Sequence, residues 1–170
     1  SKLDYNQMDL RFTRFSTHAM LEAVYNAMVL NASEQGHSFQ MEIPDTLPDM
    51  NGDRERLEQV IVNIVSNSIK YTPQGGHITL SARMQDERLL QIVVRDDGMG
   101  IPKNDVPRLF ERFYRVDKAR SREKGGTGLG LAIAKEMVEA HRGSIRLESE
   151  LDKGTIVTIL LPIDLPLEDV

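Results

Sequence analysis

Apolar residues recur along this chain with two spacings, strict alternation and a 3.6-residue period, which predict strands and helices respectively. Alternation predicts strands over residues 9–15 and 37–43, and the helical period predicts a helix between them that Ser16 or Thr17 caps. The helical period is clearest from Arg54 to Tyr71, where apolar side chains fill one arc of a helix that Asp53 caps.

The elements predicted after that helix are strands 77–84 and 88–95, a short helical piece opened by Pro102, a helix over 129–141, and a hairpin of strands 144–150 and 155–161. This order, with several hairpins, predicts a two-layer α/β sandwich in which a mixed, mostly antiparallel sheet packs on helices.

The length and composition fit one domain. Of 170 residues 40% are hydrophobic, enough for a single core, and residues 9–162 hold every predicted element. We expect residues 1–8 to be a linker or the end of a preceding helix, and residues 163–170 to be a C-terminal tail. The longest apolar runs are too short to span a bilayer, and no basic-then-apolar leader opens the sequence. The absence of cysteine excludes disulfides and thiolate chemistry and suits the cytoplasm.

Charge is distributed unevenly along the chain. The formal net charge is −5, which argues against a general nucleic-acid-binding protein. Between Lys103 and Lys124, however, eight basic residues stand against four acidic ones, which leaves −9 on the remainder. Such a cationic stretch fits either a local anionic ligand or a solvated loop, and charge alone does not choose between them.

Four glycines lie among residues 125–130, directly before a predicted helix. Backbone N–H groups approach a phosphate closely where no side chain intervenes, and a helix N-terminus attracts negative charge. The segment is not a Walker loop, because no Gly-Lys-Ser/Thr follows, and not a dinucleotide fingerprint, because it does not follow a strand. On its own it is either a phosphate cradle or a structural hinge.

The predicted strand 88–95 ends at Asp96, and the next residues include Gly98 and Gly100. A carboxylate at this position can accept a hydrogen bond from a donor such as the exocyclic amine of adenine, while the glycines let the backbone turn beneath it. An ordinary turn is the alternative interpretation.

A stripe of polar side chains follows one face of helix 54–71, apart from its apolar arc. Asn63 and Asn67 are one turn apart, and Lys70 lies one turn further. Asn is disfavoured inside a helix, and its amide oxygen can bind Mg²⁺ while phosphates complete the metal's shell. Lys70 would then neutralise phosphate charge. A solvated polar face is the alternative.

Together these motifs resemble the four boxes of sensor histidine kinases. Residues 58–72 resemble the N box, 96–101 the G1 box, 109–115 the F box and 126–131 the G2 box, in the family's order. The resemblance spans residues 53–162 and is loose before residue 50. It implies the Bergerat fold of a catalytic and ATP-binding domain, with ATP held between helices and a flexible lid. Residues 116–125 would form that lid, with Phe110 and Phe113 at its root.

The resemblance also implies roles for single residues. Asp96 would bind the adenine amino group, Asn67 would bind Mg²⁺ with Asn63 close by, and Lys70 would contact phosphate. Arg115 would contact the γ-phosphate when the acceptor domain docks. The remaining nucleotide contacts would come from Tyr71, Gly98, Gly100, Ile101, Gly126, Thr127, Gly128, Leu129 and Gly130.

Asn63 bears on the type of reaction. In the related ATP hydrolases gyrase, MutL and Hsp90, a glutamate four residues before the Mg²⁺-binding Asn acts as general base. An amide cannot take a proton near neutral pH, whereas a neutral histidine acceptor already presents a lone pair. The resemblance therefore implies transfer to histidine, with Asn63, Lys70 and Arg115 as catalytic residues that position groups and neutralise charge.

The phosphoacceptor itself is absent from the sequence. No histidine stands in the family's H box, and His141, in the last turn of a predicted helix, is explained by dipole and capping effects. We therefore expect a cytoplasmic catalytic part of a longer kinase, anchored to a membrane only through sensor segments outside this sequence. Its partners would be ATP, a dimerisation and phosphoacceptor domain and a response regulator, but not nucleic acid. The alternatives are a fold-related hydrolase or serine-directed kinase, and a module that binds ATP without turnover.

Overall fold

A computed structural model describes residues 9–112 and 130–167, which form strands and helices close to the predicted ones. The helices are α1 (Thr17–Glu34), α2 (Arg54–Tyr71) and α3 (Gly130–Ala140). The strands are β1 (Thr13–Phe15), β2 (Ser38–Glu42), β3 (Met50–Gly52), β4 (His77–Met84), β5 (Leu89–Asp96), β6 (Ser144–Glu150) and β7 (Gly154–Pro162). The helical piece predicted after Pro102 is a single 3₁₀ turn, Val106–Arg108.

A five-stranded mixed sheet forms one layer, in the order β2-β4-β5-β7-β6. β2 pairs with β4 in parallel, and the other three pairings are antiparallel. One face of the sheet carries buried apolar side chains on alternate positions, such as Leu80, Ile92 and Ile159, and the helices cover this face. The predicted two-layer α/β sandwich is confirmed.

Helix α2 lies between α1 and α3 in the helical layer and packs on the central strands β4 and β5. Its sequence explains both its ends and its orientation. Asp53 caps it, with the carboxylate accepting the backbone N–H of Arg56 at 3.2 Å. The predicted apolar arc is buried in the core: Leu57, Val60, Ile61, Ile64, Val65 and Ser68. Burial of this arc turns the polar stripe of α2 away from the sheet, toward the start of α3.

The strand predicted over residues 9–15 is observed as β1, and it pairs with β3, a strand that the sequence analysis missed. Asn51 in β3 donates its backbone N–H to the carbonyl of Ile163 at 2.8 Å and its side-chain amide to the carbonyl of Leu165 at 2.8 Å. Leu165 is buried, so residues 163–165, which we expected to begin a tail, pack against β3. Within the described ranges, no helix has the length and apolarity needed to cross a membrane.

His141 is fully buried just beyond α3. Its Nδ1 donates to the carbonyl of Met137 at 2.9 Å, which confirms the predicted cap. Its Nε2 accepts the backbone N–H of Asp53 at 2.9 Å, so the imidazole is neutral. Burial lowers the pKa of His141, against the opposing effects of the Met137 carbonyl and Asp53. The predicted dipole contribution is wrong, because an uncharged ring has no net charge to interact with the helix terminus.

Candidate nucleotide-binding site

Asp96 is the last residue of β5, and its carboxylate is held by two backbone donors. Oδ1 accepts the N–H of Gly98 at 3.0 Å and the N–H of Thr155 at 3.2 Å. Neither backbone bond ends on Oδ2, and a carboxylate has about four acceptor sites, so this one can accept a ligand donor in addition to the Ser68 hydroxyl. The side chain is half-buried, so a ligand can reach it.

Burial raises the pKa of Asp96, and the negative charge of Asp97 adds to this effect. The N–H of Gly98, the hydroxyl of Ser68 and the N–H of Thr155 act in the opposite direction, because each stabilises the charged form. The carboxylate is therefore placed where desolvation strengthens its hydrogen bonds, and it is oriented by fixed donors.

The turn after Asp96 depends on two glycines. Gly100 has φ +70°, and a Cβ there would overlap the carbonyl oxygen of Glu150. A Cβ on Gly98 would lie 2.7 Å from the carbonyl oxygen of Tyr71 and 2.8 Å from Oγ1 of Thr72. Any side chain at either position would push this turn off its neighbours.

Backbone hydrogen bonds fix the same turn to two other elements. Met99 donates its N–H to the carbonyl of Tyr71, at the end of α2, over 3.2 Å, and accepts the N–H of Asp152, in the β6–β7 hairpin, over 2.7 Å. The predicted base-lining residues Gly98, Gly100 and Ile101 thus lie together, between Tyr71 and the hairpin.

The polar stripe of α2 faces the start of α3. A Cβ built on Gly130, the first residue of α3, would lie 2.5 Å from Nδ2 and 2.9 Å from Oδ1 of Asn63, so the amide lies directly against this glycine. Asn67 and Lys70 follow along the same half-buried face. Within the described ranges, no residue hydrogen-bonds the side chain of Asn67, so its amide oxygen can accept a ligand. The structure thus brings Asn63 against Gly130, with Asn67 and Lys70 further along the same face of α2.

Several predicted contacts lie outside the described residues. These are Phe113, Arg115, Gly126, Thr127, Gly128 and Leu129, together with the lid expected over residues 116–125. Their roles stay predictions.

The described part of the F box is attached to α3. The guanidinium Nη2 of Arg112 lies 2.6 Å from Oε1 of Glu136, and the ammonium of Lys135 lies 5.8 Å from the centre of the Phe110 ring. Phe110 and Arg112 are thereby held against α3.

The sequence analysis missed three polar residues around Asp96: Thr72, Ser149 and Thr155. Thr72 is buried, and its Oγ1 lacks a hydrogen-bond partner in the described part of the chain. Ser149 Oγ and Thr155 Oγ1 lie 2.8 Å apart, at the end of β6 and the start of β7. The sequence offered one weak signal, a Gly-Thr pair at the start of a strand, and nothing in it linked that pair to Asp96.

An open groove of about 530 Å³ lies at the same end of the sheet but on the face away from the helices. Its lining includes Thr79, Arg95 and Glu148, which alternate along their strands with residues that face the core. Asp96 and Thr155 reach its edge, whereas no residue of α2 contributes to it. The groove therefore shares Asp96 with the arrangement of Asp96, α2 and Gly130, but it extends along the opposite face of the sheet, away from α2.

A family model matches most of the part of the chain that forms this fold. The model of the family described as histidine kinase-, DNA gyrase B- and HSP90-like ATPase matches residues 52–165. The chain belongs to this family.

Three individual proteins similar to this chain are sensor or histidine kinases, or share their fold. The sensor histidine kinase WalK of Bacillus subtilis (strain 168) is 43% identical over 172 residues, covering 98% of this chain and 28% of that protein. Full-length ShkA, solved in complex with AMPPNP, superposes with a TM-score of 0.80 at 27% identity, covering 95% of this chain and 33% of that one. Histidine kinase ThkA, solved in complex with the response regulator TrrA, has a TM-score of 0.76 at 24% identity, covering 95% of this chain and 45% of that one. The chain thus spans less than a third of the length of its WalK relative.

Proposed function

We propose that this chain is the catalytic and ATP-binding domain of a sensor histidine kinase, which binds Mg-ATP and transfers the γ-phosphoryl group to a histidine on a separate dimerisation domain. The observation that carries the proposal is the placement of Asp96. Its carboxylate is fixed by two backbone donors beside the end of α2, and the polar face of α2 meets the glycine at the start of α3.

The residues present fit an adenine nucleotide. Oδ2 of Asp96 is oriented to accept one hydrogen of the adenine amino group, and the glycine turn leaves the base free of side chains on that side. The orphaned Oγ1 of Thr72, buried against Gly98, is a further polar atom that a bound base or an ordered water would satisfy. The AMPPNP complex of ShkA, a structure of the same fold, supports this choice of ligand.

The polar face of α2 fits the triphosphate and its metal ion. Asn67 would give its amide oxygen to Mg²⁺, which supplies charge neutralisation between the phosphates when it is bound. Lys70, one turn on, would contact phosphate oxygens, and Tyr71 would lie along the nucleoside. Gly130, with the preceding residues Gly126, Thr127, Gly128 and Leu129, would offer backbone N–H groups to the phosphates.

The proposed reaction needs no general base from this chain. A ring nitrogen of the acceptor histidine donates its lone pair to the γ-phosphorus, the bond from that phosphorus to the β–γ bridging oxygen breaks, and ADP leaves with the electron pair. Asn63 cannot remove a proton from water, which disfavours hydrolysis over this transfer. Lys70, with Arg115 once the acceptor domain docks, would neutralise charge that develops on the phosphoryl group and the leaving ADP.

The longer protein would place this domain in a phosphorelay. We infer that the phosphohistidine passes its group to a response regulator, in line with the solved ThkA–TrrA complex. We also infer that the domain works in the cytoplasm, attached to membrane-borne sensor segments that this sequence does not include.

The test supplies the missing acceptor. The chain is incubated with γ-labelled ATP, Mg²⁺ and a separately expressed dimerisation domain of a sensor histidine kinase, and the acceptor is analysed for acid-labile, base-stable label. We expect label on the acceptor with the wild type, at least about tenfold less with Asn67→Ala, and no change with Asn26→Ala, an exposed asparagine on α1. Steady phosphate release without any acceptor would instead identify a hydrolase.

A further inference from the structure

One hydroxyl joins the turn after Asp96 to the hairpin between β6 and β7. Oγ of Ser149 accepts the backbone N–H of Ile101 over 2.8 Å, lies 2.8 Å from Oγ1 of Thr155, and lies 3.0 Å from the carbonyl oxygen of Gly154. One consistent proton assignment satisfies all three contacts: Ile101 and Thr155 donate to Oγ, and Ser149 donates to Gly154. A hydroxyl has one donor and two acceptor sites, so this one is saturated within the protein.

These bonds close a ring with Asp96. Thr155, whose hydroxyl meets Ser149, donates its backbone N–H to Oδ1 of Asp96, and the same Oδ1 accepts the N–H of Gly98. The hydrogen-bond ring of Asp96, Ile101, Ser149 and Thr155 therefore ties both ends of the turn to one hairpin. Two further contacts support the ring, the Asp152 N–H on the Met99 carbonyl and the close packing of Gly100 on Glu150.

We propose that Ser149 is a positioning residue for nucleotide binding, which holds Ile101 and the base-binding turn at a fixed distance from Asp96. The proposal rests on the proposed function, because it assigns to Ser149 the shape of the same base site. Ser149 touches no ligand in this account; it acts through the backbone of Ile101 and through Thr155.

Removing the Ser149 hydroxyl would leave its hydrogen-bond partners unsatisfied. Without the Ser149 hydroxyl, the N–H of Ile101 and the hydroxyl of Thr155 both lose their partner in a half-buried setting. The turn would then be free to move relative to Asp96, and base binding would have to order it again. That ordering lowers the apparent affinity for every nucleotide that uses the site.

The test compares Ser149→Ala with Ser144→Ala, a matched change at the exposed opposite end of the same strand. Binding of Mg-AMPPNP is measured by calorimetry, and exchange of the Ile101 amide is followed by NMR without nucleotide. We expect Ser149→Ala to raise Kd roughly tenfold with an unchanged number of sites, and to speed Ile101 exchange. Ser144→Ala should match the wild type in both measurements.

Other outcomes have a defined meaning. A Kd for Ser149→Ala within twofold of wild type, or an Ile101 amide that stays protected, overturns the proposal. A purely structural role would reduce the number of binding-competent molecules and leave their Kd unchanged, and this also overturns it. If Ser149→Ala does not fold, Ser149→Cys, which keeps the volume and weakens the hydrogen bonds, is judged by the same criteria. If the wild type binds no AMPPNP, the proposed function fails, and Ile101 exchange alone decides whether Ser149 holds the turn.

Discussion

The backbone N–H of Asp53 donates to Nε2 of His141, 88 residues further along the chain, over 2.9 Å. Asp53 caps α2, and His141 follows α3, so one imidazole joins the helix of the N box to the helix that begins at Gly130. Phe12 stacks on the same ring, with centroids 4.9 Å apart, and the N–H of Arg11 bonds to Oδ2 of Asp53 at 2.9 Å. The segment just before β1, which contains Arg11 and Phe12, is thereby attached to both helices.

This contact predicts a pH dependence of stability. Burial holds the pKa of His141 below its unfolded value of 6.5, so below about pH 6.5 the unfolded chain binds a proton that the folded chain does not. The free energy of unfolding should therefore fall as the pH drops below about 6.5, by at most about 1.4 kcal/mol per pH unit from this group. Above that pH, His141 should contribute no slope.

Chemical denaturation between pH 5 and 8 tests this prediction. His141→Ala should cost about 3 kcal/mol at pH 7.5, because it removes a buried ring and two hydrogen bonds, and it should flatten the acid slope. His18→Ala, at an exposed histidine paired with Glu22, should change stability by less than about 0.5 kcal/mol. An acid slope of equal size in wild type and His141→Ala would show that other groups produce it.

Substitutions at Gly75 and Gly100 distinguish the cost of backbone strain alone from the cost of strain combined with steric overlap. Gly75 and Gly100 both have positive φ, +90° and +70°, but a Cβ on Gly75 meets nothing within 4 Å, whereas one on Gly100 overlaps Glu150. Gly75→Ala should cost only the roughly 1–2 kcal/mol of a left-handed residue. Gly100→Ala should cost clearly more and should abolish nucleotide binding, because the turn must leave the hairpin. Equal losses of stability in thermal unfolding would contradict the described packing of Gly100.

The charged Asp96 carboxylate should lower the stability of the ligand-free protein, although it is the group proposed to bind the adenine base. Burial raises the pKa of Asp96 in the folded state above its value in the unfolded chain. The stabilisation from this carboxyl is therefore complete below the unfolded pKa and is lost as the pH rises through the folded pKa. At pH 7, Asp96→Asn should therefore melt at the same or a higher temperature than wild type, since Oδ1 of Asn still accepts both N–H groups. A clear drop in melting temperature would indicate that the charge itself stabilises the ligand-free protein.

The sequence predicted the parts of the molecule that depend on local signals. Helix α2 was predicted at its observed bounds because the Asp53 cap and the 3.6-residue apolar period both act within a few residues. Strand β3 was missed because it is three residues long and its partner lies in β1, almost forty residues earlier. Ser149 was missed for a similar reason, since its bond to Ile101 joins residues 48 apart, and one serine in a strand carries no local signal.

In the candidate site too, local motifs could be predicted from the sequence, whereas long-range contacts could not. Asp96, Asn63 and Asn67 could be predicted as site residues because each belongs to a motif of contiguous residues, whose order resembles the kinase boxes. The approach of Asn63 to Gly130 depends instead on how α2 and α3 pack over the sheet. Such packing is set by the whole core, and spacing along the chain does not encode it.

Calorimetric titration with AMPPNP and Mg²⁺ tests the central claim most directly, because it asks whether the site around Asp96 binds an adenine nucleotide. We expect the wild type to bind at one site, and Asp96→Asn to lose at least about tenfold in affinity because a hydrogen bond to a charged acceptor is removed. Asp97→Asn, next along the chain but bonded to His77, serves as the matched control and should bind like the wild type. Wild-type protein that binds no nucleotide, or binds it equally well after Asp96→Asn, would contradict this account.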